Sequence, residues 1–140
     1  MLYVDSNIFL YPAIYKLETV KEAGELKDFL LKISEGLLEA CTATITWDEV
    51  VWVVRKLFGL NPSIELGRKL LEFPNLKLLN VKRSVVLRAQ KLMEKYGIKP
   101  RSAIHAATAL ENGVETIVSY DRDFDKLEEI KRLDSRSLLE

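Results

Sequence analysis

The strongest constraint on this fold is an alternation of short apolar runs with longer segments of helical spacing. The runs are apolar and have the length of buried strands, at residues 2–4, 41–45, 76–81 and 116–118. The segments between them repeat apolar residues three and four apart, at 19–40, 46–59, 84–97 and 103–111. Strands that alternate with helices predict an α/β fold with a short, mainly parallel central sheet flanked by helices.

Punctuating residues predict where individual helices begin and end. Thr19 and Glu22 have the spacing of a capping box at the start of the helix at 19–40. Ser84 is expected to cap the helix that Gly97 closes, because glycine is favoured just past a helix C-terminus. Four further elements are predicted from weaker signals: a helix from residue 6 or 7, a helix at 62–73, a helical turn at 127–130 and a strand at 132–133.

Length and composition bound the class of protein. The chain has 140 residues, of which 48% are hydrophobic, and this is typical of one domain spanning residues 1–140. No apolar run approaches the roughly 20 residues of a membrane span. The N-terminal segment has an acid, Asp5, close to its start and lacks the basic region of a signal peptide. We therefore expect a soluble, cytoplasmic protein with no membrane association.

Charge and cysteine content exclude further classes. Lys plus Arg and Asp plus Glu each number 21, so the net charge is zero and no large basic field draws in nucleic acid. This weakens a role as a general DNA or RNA coat, but an enzyme that touches a few phosphates stays open. Near-zero net charge also favours self-association. The single cysteine, Cys41, excludes an internal disulfide and a cysteine-based zinc site.

Three acids are predicted to lie near the carboxyl ends of strands, where parallel sheets bind ligands. Asp5 follows the first predicted strand, and Asp121 lies just past the strand at 116–118. Parallel sheets bind ligands beyond the carboxyl ends of their strands, so the two carboxylates share a crevice if these strands are neighbours. Glu49, near a helix start, could join them. Such a set of carboxylates suits Mg²⁺, which can activate a water for phosphodiester hydrolysis.

Each acid also has an ordinary structural interpretation. Asp5 could simply cap the helix that follows it. Glu49 completes a capping box with Thr46, and local spacing alone favours this interpretation. Asp121, Asp123 and Asp125 could form a solvated acidic loop with helix-capping duties. The order of the acids along the chain is therefore more informative than any one of them.

Four segments, taken together and in order, resemble the PIN domain, a family of metal-dependent ribonucleases. They are Tyr3-Val4-Asp5-Ser6-Asn7-Ile8-Phe9, Thr46-Trp47-Asp48-Glu49-Val50-Val51-Trp52, Lys99-Pro100-Arg101-Ser102-Ala103-Ile104-His105-Ala106-Ala107-Thr108-Ala109 and Ile117-Val118-Ser119-Tyr120-Asp121-Arg122-Asp123-Phe124. Within the family, the chain is most similar to the toxin subunits of VapBC-type toxin–antitoxin pairs. The four segments span almost the whole chain, and their order gives the likeness its specificity.

The resemblance implies a three-layer fold, a chemistry and a set of partners. It implies an endoribonuclease in which Asp5, Glu49 and Asp121 bind Mg²⁺ or Mn²⁺ and water attacks the phosphodiester of an RNA substrate. Asn7 and Ser119 would orient carboxylates or waters around the ion, although turn and cap chemistry accounts for them equally well. The likeness also implies a homodimer and a small antitoxin protein that blocks the acidic crevice.

One position departs from the family pattern. The family usually has an aspartate that binds the metal directly where this chain has Ser102. Serine and aspartate are both good helix N-caps, so Ser102 is expected to keep that structural role without the charge. Three carboxylates would remain, and the affinity for Mg²⁺ should fall. The Ser102 hydroxyl could hold a metal-bound water, and Asp123 could swing in as a fourth acid.

Arginine and histidine side chains complete the candidates. Arg101 and Arg122 flank Ser102 and Asp121 in sequence, so either could bind a phosphate of the RNA substrate, with a solvated charge as the alternative. His105 is the only histidine. It is expected to be a packed or capping residue, because hard oxygen-ligated sites do not favour imidazole.

Two functions from different classes fit these observations. The first is a Mg²⁺- or Mn²⁺-dependent endoribonuclease that acts as the toxin of a toxin–antitoxin pair. The second, which Ser102 favours, is a catalytically impaired PIN-fold interaction module that works through dimerisation or partner binding. A receiver-like domain with a phosphoacceptor aspartate is disfavoured, because no lysine lies at a matching strand end.

Overall fold

The computed structural model describes residues 1–14 and 21–139. Across these ranges the chain forms five strands, namely β1 Leu2–Val4, β2 Ala40–Ala43, β3 Leu76–Leu79, β4 Thr116–Val118 and β5 Lys131–Leu133. The same ranges contain six α-helices, namely α1 Ser6–Ile14, α2 Lys21–Ser34, α3 Ile45–Phe58, α4 Leu60–Leu71, α5 Arg83–Tyr96 and α6 Pro100–Glu111. Short 3₁₀ helices cover Arg122–Lys126 and Ser137–Leu139.

The strands form a parallel sheet in the order β3-β2-β1-β4-β5. The central strand, β1, pairs with β2 on one side and β4 on the other. Val4 and Val118 are partners in the register, so Asp5 and Ser119 leave the sheet side by side. The two strands are therefore neighbours, which is the condition under which Asp5 and Asp121 share a crevice. The predicted α/β class is confirmed.

Alternating side chains divide the core into two clusters on opposite faces of the sheet. Tyr3 and Ile117 pack with the buried residues of α5 and α6. Val4 and Val118 pack with buried residues of α1, α2, α3 and α4. Helices therefore cover both faces, which is the three-layer arrangement that the resemblance implied. No helix within the described ranges is long and apolar enough to cross a membrane.

The main differences from the sequence-based expectations concern helix ends. The expected capping box at Thr19 lies outside the described residues. The helix expected to reach residue 40 ends at Ser34, because Gly36 turns the chain with φ 78° before β2 begins. Ser84 does not cap α5, since extended Lys82 occupies the N-cap and Ser84 lies in the first turn. Gly97 does close α5, in the left-handed conformation with φ 67°.

The expected helical turn at 127–130 is also wrong. The chain turns earlier, in the 3₁₀ helix Arg122–Lys126, and runs without helix from Leu127 to β5. The cause is local. The Asp121 side chain accepts a hydrogen bond from the Asp123 amide and so caps this short helix at its start.

Candidate active site

A cavity of about 450 Å³ opens beyond the carboxyl ends of β1 and β4. We call it the site cavity, and its lining residues come from both of these strand ends, from the start of α1, from α3 and from the start of α6: Asp5, Ser6, Asn7, Glu49, Lys99, Pro100, Arg101, Ser102, His105 and Asp121. The structure therefore brings together the three acids that the sequence analysis selected. Asp123 is not among the described residues that line the cavity, and its carboxylate lies 3.5 Å from Lys126 Nζ.

Asp5 is buried at the end of β1, with 5% of its surface exposed. Its Oδ1 accepts a hydrogen bond from the Ser6 amide at 2.7 Å, at the start of α1. Its Oδ2 accepts one from the Ser119 hydroxyl at 2.6 Å, across the β1–β4 pair. Asp5 therefore bonds the first amide of α1, whereas a capping side chain accepts from the second or third amide, and it also faces the site cavity.

The capping-box interpretation of Glu49 is wrong. Thr44 occupies the N-cap of α3, so the helix begins earlier than that interpretation requires. The Thr46 hydroxyl instead forms a hydrogen bond with the Thr42 hydroxyl at 2.6 Å. The Glu49 carboxylate turns into the site cavity, where it bonds His105 Nε2 at 2.5 Å and the Ser6 hydroxyl at 3.3 Å.

Asp121 and Ser102 form a direct pair. The Ser102 hydroxyl donates to Asp121 Oδ2 at 2.9 Å, and Asp121 Oδ1 accepts the Asp123 amide at 2.9 Å. The expected N-cap role of Ser102 is wrong, because α6 begins at Pro100 and Lys99 occupies the N-cap. Proline has the φ of the first helical turn built into its ring and so starts the helix early. Ser102 consequently lies inside the first turn, with its hydroxyl aimed across the cavity.

Asn7 and Ser119 join the acids to one another. The Ser119 hydroxyl donates to Asp5 Oδ2 and accepts the Asp121 amide at 2.9 Å and the Asn7 side-chain amide at 3.3 Å. The bond to the Asp121 amide is turn chemistry, whereas the bond to Asp5 orients a carboxylate. Asn7 Oδ1 is buried, and no residue in the described part of the chain donates a hydrogen bond to it.

The two arginines predicted to meet substrate lie in different places. Arg101 lines the site cavity together with Lys99. Arg122 lines a separate polar cavity of about 330 Å³, together with Arg132 and Arg136. Cationic side chains therefore stand both at the site cavity and in the cavity beside the following turn.

Comparison with known proteins gives the family. The sequence matches the PIN domain family over residues 2–130. The chain belongs to the PIN domain family. A search of curated proteins finds no match to it.

Solved structures agree with the PIN fold. A toxin–antitoxin complex from Klebsiella pneumoniae has a TM-score of 0.67 and 20% identity, covering 94% of this chain and 96% of that one. The toxin VapC20 from Mycobacterium tuberculosis, which cleaves the sarcin–ricin loop, has a TM-score of 0.71 and 12% identity, covering 89% and 93%. DNA-bound VapBC from Salmonella typhimurium has a TM-score of 0.70 and 16% identity, covering 96% and 97%. At these identities the likeness concerns the fold.

The residue that sequence analysis missed in this PIN site is His105. Its side chain packs in the interior, as expected, yet it contacts the acids directly. Nε2 lies 2.5 Å from Glu49 Oε1 and 3.5 Å from Asp5 Oδ1, while Nδ1 lies 2.6 Å from the Tyr3 hydroxyl. The available signal was spacing, because His105 follows Ser102 by three residues on one helix and so shares its face.

Burial and charge act in opposite directions on His105. Burial lowers the pKa of the imidazole, but the hydrogen bond to Glu49 and the negative charges of Asp5, Glu49 and Asp121 outweigh it, so the pKa lies above its ordinary value. Burial, with the charge of Asp5, raises the pKa of Tyr3 well above its usual range. Tyr3 therefore keeps its proton and stays a hydrogen-bonding hydroxyl.

A divalent metal ion fits this PIN site in the type of its donor atoms but not in their present placement. All six carboxylate oxygens of the three acids accept hydrogen bonds from the chain itself. Within residues 1–14 and 21–139, no group of three or more His, Cys, Asp and Glu side chains is placed so that it could hold a metal ion. The donors are nevertheless hard oxygens, as Mg²⁺ requires, and Asn7 Oδ1 is a buried acceptor suited to a water of hydration. A hydrated ion suits this set better than a fully dehydrated one.

Proposed function

We propose that this chain is a divalent-metal-dependent endoribonuclease and the toxin member of a VapBC-type toxin–antitoxin pair. The observation that carries the proposal is the convergence of Asp5, Glu49 and Asp121 on one cavity of a PIN fold. The structural likeness to a sarcin–ricin-loop-cleaving toxin and to VapBC complexes supports the same class of function.

Asp5, Glu49 and Asp121 would hold Mg²⁺ or Mn²⁺ in the site cavity. When bound, the ion would activate a water and offset negative charge on the phosphodiester. Asn7 Oδ1 and the Ser102 hydroxyl could each accept a hydrogen bond from a water of hydration. With Ser102 in place of a fourth carboxylate, we expect the ion to bind weakly, because fewer negative ligands attract it.

The chain supplies the contacts that would position RNA. Arg101 and Lys99 are exposed at the site cavity, where a phosphate beside the scissile bond could bind them. Arg122, in the separate polar cavity, could bind a second phosphate. Phosphate contacts position a nucleic acid without reading its sequence. We therefore assign the arginines to substrate positioning.

Exposed apolar side chains indicate that this chain binds other protein chains. Several large ones lie on α3 and α4: Trp47, Trp52, Phe58, Ile64 and Leu71. A soluble monomer rarely leaves so many large apolar side chains exposed on two packed helices. We propose that the chain forms a homodimer and also binds a small antitoxin protein. A monomeric mass by light scattering at micromolar concentration would contradict the homodimer.

RNA cleavage in the presence of Mn²⁺ tests the nuclease. Transfer RNA, ribosomal RNA and short single strands are incubated with native protein, with native protein plus EDTA, and with Asp5→Asn. The proposal predicts cleavage by native protein with Mn²⁺ and loss of cleavage in both other samples. Equal cleavage by native protein and folded Asp5→Asn would show a contaminating nuclease and contradict the proposal.

An interaction module without catalysis is the second candidate. The observation that favours it is the internal satisfaction of all six carboxylate oxygens, together with a serine where an acid is usual. It predicts that Asp5→Asn leaves the cellular effect of the expressed protein unchanged. The nuclease proposal predicts that the same variant loses the effect, so one growth assay separates the two.

A further inference from the structure

We propose that Tyr3 and His105 are positioning residues that hold the carboxylate of Glu49 in the site cavity beside Asp5. The inference rests on the proposed function, because there Glu49 is one of the ligands of the ion. It assigns no contact with the substrate to either residue. Both act through Glu49.

Tyr3, His105 and Glu49 form a chain of hydrogen bonds in which His105 is always the donor to Glu49. His105 is 1% exposed, and both ring nitrogens have partners within the protein. In the neutral ring, the Tyr3 hydroxyl donates to Nδ1 and Nε2–H donates to Glu49. In the protonated ring, Nδ1–H donates to Tyr3 and Nε2–H still donates to Glu49. The bond that fixes the carboxylate is therefore the same in both forms.

Glu49 depends on this bond for its orientation. It reaches the cavity from α3, and its side chain is 13% exposed, with several rotatable bonds to fix. Its carboxylate also accepts a hydrogen bond from the Ser6 hydroxyl, at a longer 3.3 Å. The 2.5 Å contact with His105 is the shorter of the two and comes from a helix on the opposite face of the sheet. Without it, we expect the carboxylate to sample other rotamers.

Tyr3 holds the imidazole in turn. It lies in the middle of β1 and is 0% exposed, two residues before Asp5. Its ring meets the His105 ring edge-on, with the centroids 5.6 Å apart. A hydrogen bond and a ring contact from the same strand that carries Asp5 thus fix the rotation of His105. Outer partners of this kind set the geometry of metal ligands.

A pair of variants separates positioning from packing. His105→Gln can place its amide N–H where Nε2 lies, whereas His105→Asn can reach only the Nδ1 side. We measure Mn²⁺ affinity by calorimetry for the native protein and both variants. We expect His105→Asn to bind Mn²⁺ about tenfold more weakly or worse, and His105→Gln to stay within about threefold of native. Equal affinities for the two variants would overturn the proposal.

Thr108→Ala provides the matched control. Thr108 is buried on the same helix, and its hydroxyl bonds the Ile104 carbonyl rather than an acid. We expect this variant to lower the melting temperature and leave the Mn²⁺ affinity unchanged. If it weakens Mn²⁺ binding as much as His105→Asn, the effect is structural and the proposal is overturned.

A readout without metal separates this inference from the nuclease proposal. The chain has one histidine, so ¹⁵N-imidazole labelling gives a single pair of ring resonances. We expect Glu49→Gln to shift mainly Nε2 and Tyr3→Phe to shift mainly Nδ1. Unchanged resonances in both variants would overturn the inference. If these shifts occur but native protein binds no Mn²⁺, the positioning of Glu49 stands and the metal-dependent function fails.

Discussion

Ser102 sets how much negative charge faces the site cavity. It places a neutral hydroxyl 2.9 Å from Asp121 Oδ2, where a carboxylate would repel Asp121 unless a cation lay between them. The hydroxyl therefore lets the site hold together as a hydrogen-bonded network of its own residues. The cost of this arrangement is weaker attraction for a divalent ion.

Ser102→Asp should reverse that balance. In EDTA we expect it to lower the melting temperature relative to native, because two negatively charged carboxylates then face each other. With saturating Mn²⁺ we expect a larger rise in melting temperature than native shows, since a tenfold gain in affinity adds about 1.4 kcal/mol of stabilisation. Ser102→Asn, which is neutral and of similar size to aspartate, is the control. An equal Mn²⁺-induced rise in both variants would contradict a charge effect.

Sequence reasoning at this scale succeeded where the topology alone brings residues together. Asp5 and Asp121 follow parallel strands, so the sequence placed them in one crevice on the condition that the strands are neighbours, and the structure meets that condition. The contact between His105 and Glu49 joins residues 56 apart, on helices from opposite faces of the sheet. No local spacing contains that information.

At the scale of elements, helix boundaries decided the roles of several polar side chains. A start of α3 after Thr44 frees Glu49 for the cavity, and a start of α6 at Pro100 moves Ser102 from the cap into the first turn. Capping preferences are worth only about 1 kcal/mol each, so tertiary contacts readily override them. This is why strands and helices could be predicted from the sequence while the N-caps expected at Ser84 and Ser102 were wrong.

The α3–α4 pair packs closely at Gly67. A Cβ added there would lie 2.9 Å from Trp47 Nε1 and 3.0 Å from Val51 Cγ2. We expect Gly67→Ala to reduce the free energy of unfolding by about 1–3 kcal/mol, measured by urea denaturation. Gly24→Ala is the control, because Gly24 lies within α2 and nothing stands within 4 Å of the Cβ that alanine would add. That variant should gain about 0.5–1 kcal/mol from helix propensity. A stabilised Gly67→Ala protein would contradict close packing.

At the scale of the whole molecule, a parallel sheet with helices on both faces determines where chemistry can occur. The alternation of strands and helices was enough to predict this class. The order β3-β2-β1-β4-β5 was not predicted, because each crossover is set by packing of distant segments. The carboxyl ends of β1 and β4 are nevertheless where the acids lie, as expected for a parallel sheet.

Cys41 reports on the integrity of this whole structure. It lies fully buried in β2, and burial raises the pKa of its thiol to about 11. Because the ordinary pKa of a thiol is 9.0, this rise lowers the thiolate fraction at pH 8 by about a hundredfold. Burial also keeps the reagent away from the sulfur, which slows the reaction further. We therefore expect iodoacetamide to label native protein at least about a hundredfold more slowly than protein in urea. Comparable rates would show that β2 opens readily in the folded state.

The most direct measurement of the central claim is a Mn²⁺ binding isotherm for a set of single variants. We predict saturable binding by native protein that Asp5→Asn, Glu49→Gln and Asp121→Asn each weaken by about tenfold or more. Asp123→Asn, which changes an acid outside the site cavity, should bind Mn²⁺ as native protein does. No binding by native protein, or equal weakening by Asp123→Asn and Asp121→Asn, would contradict a metal site built from these three acids.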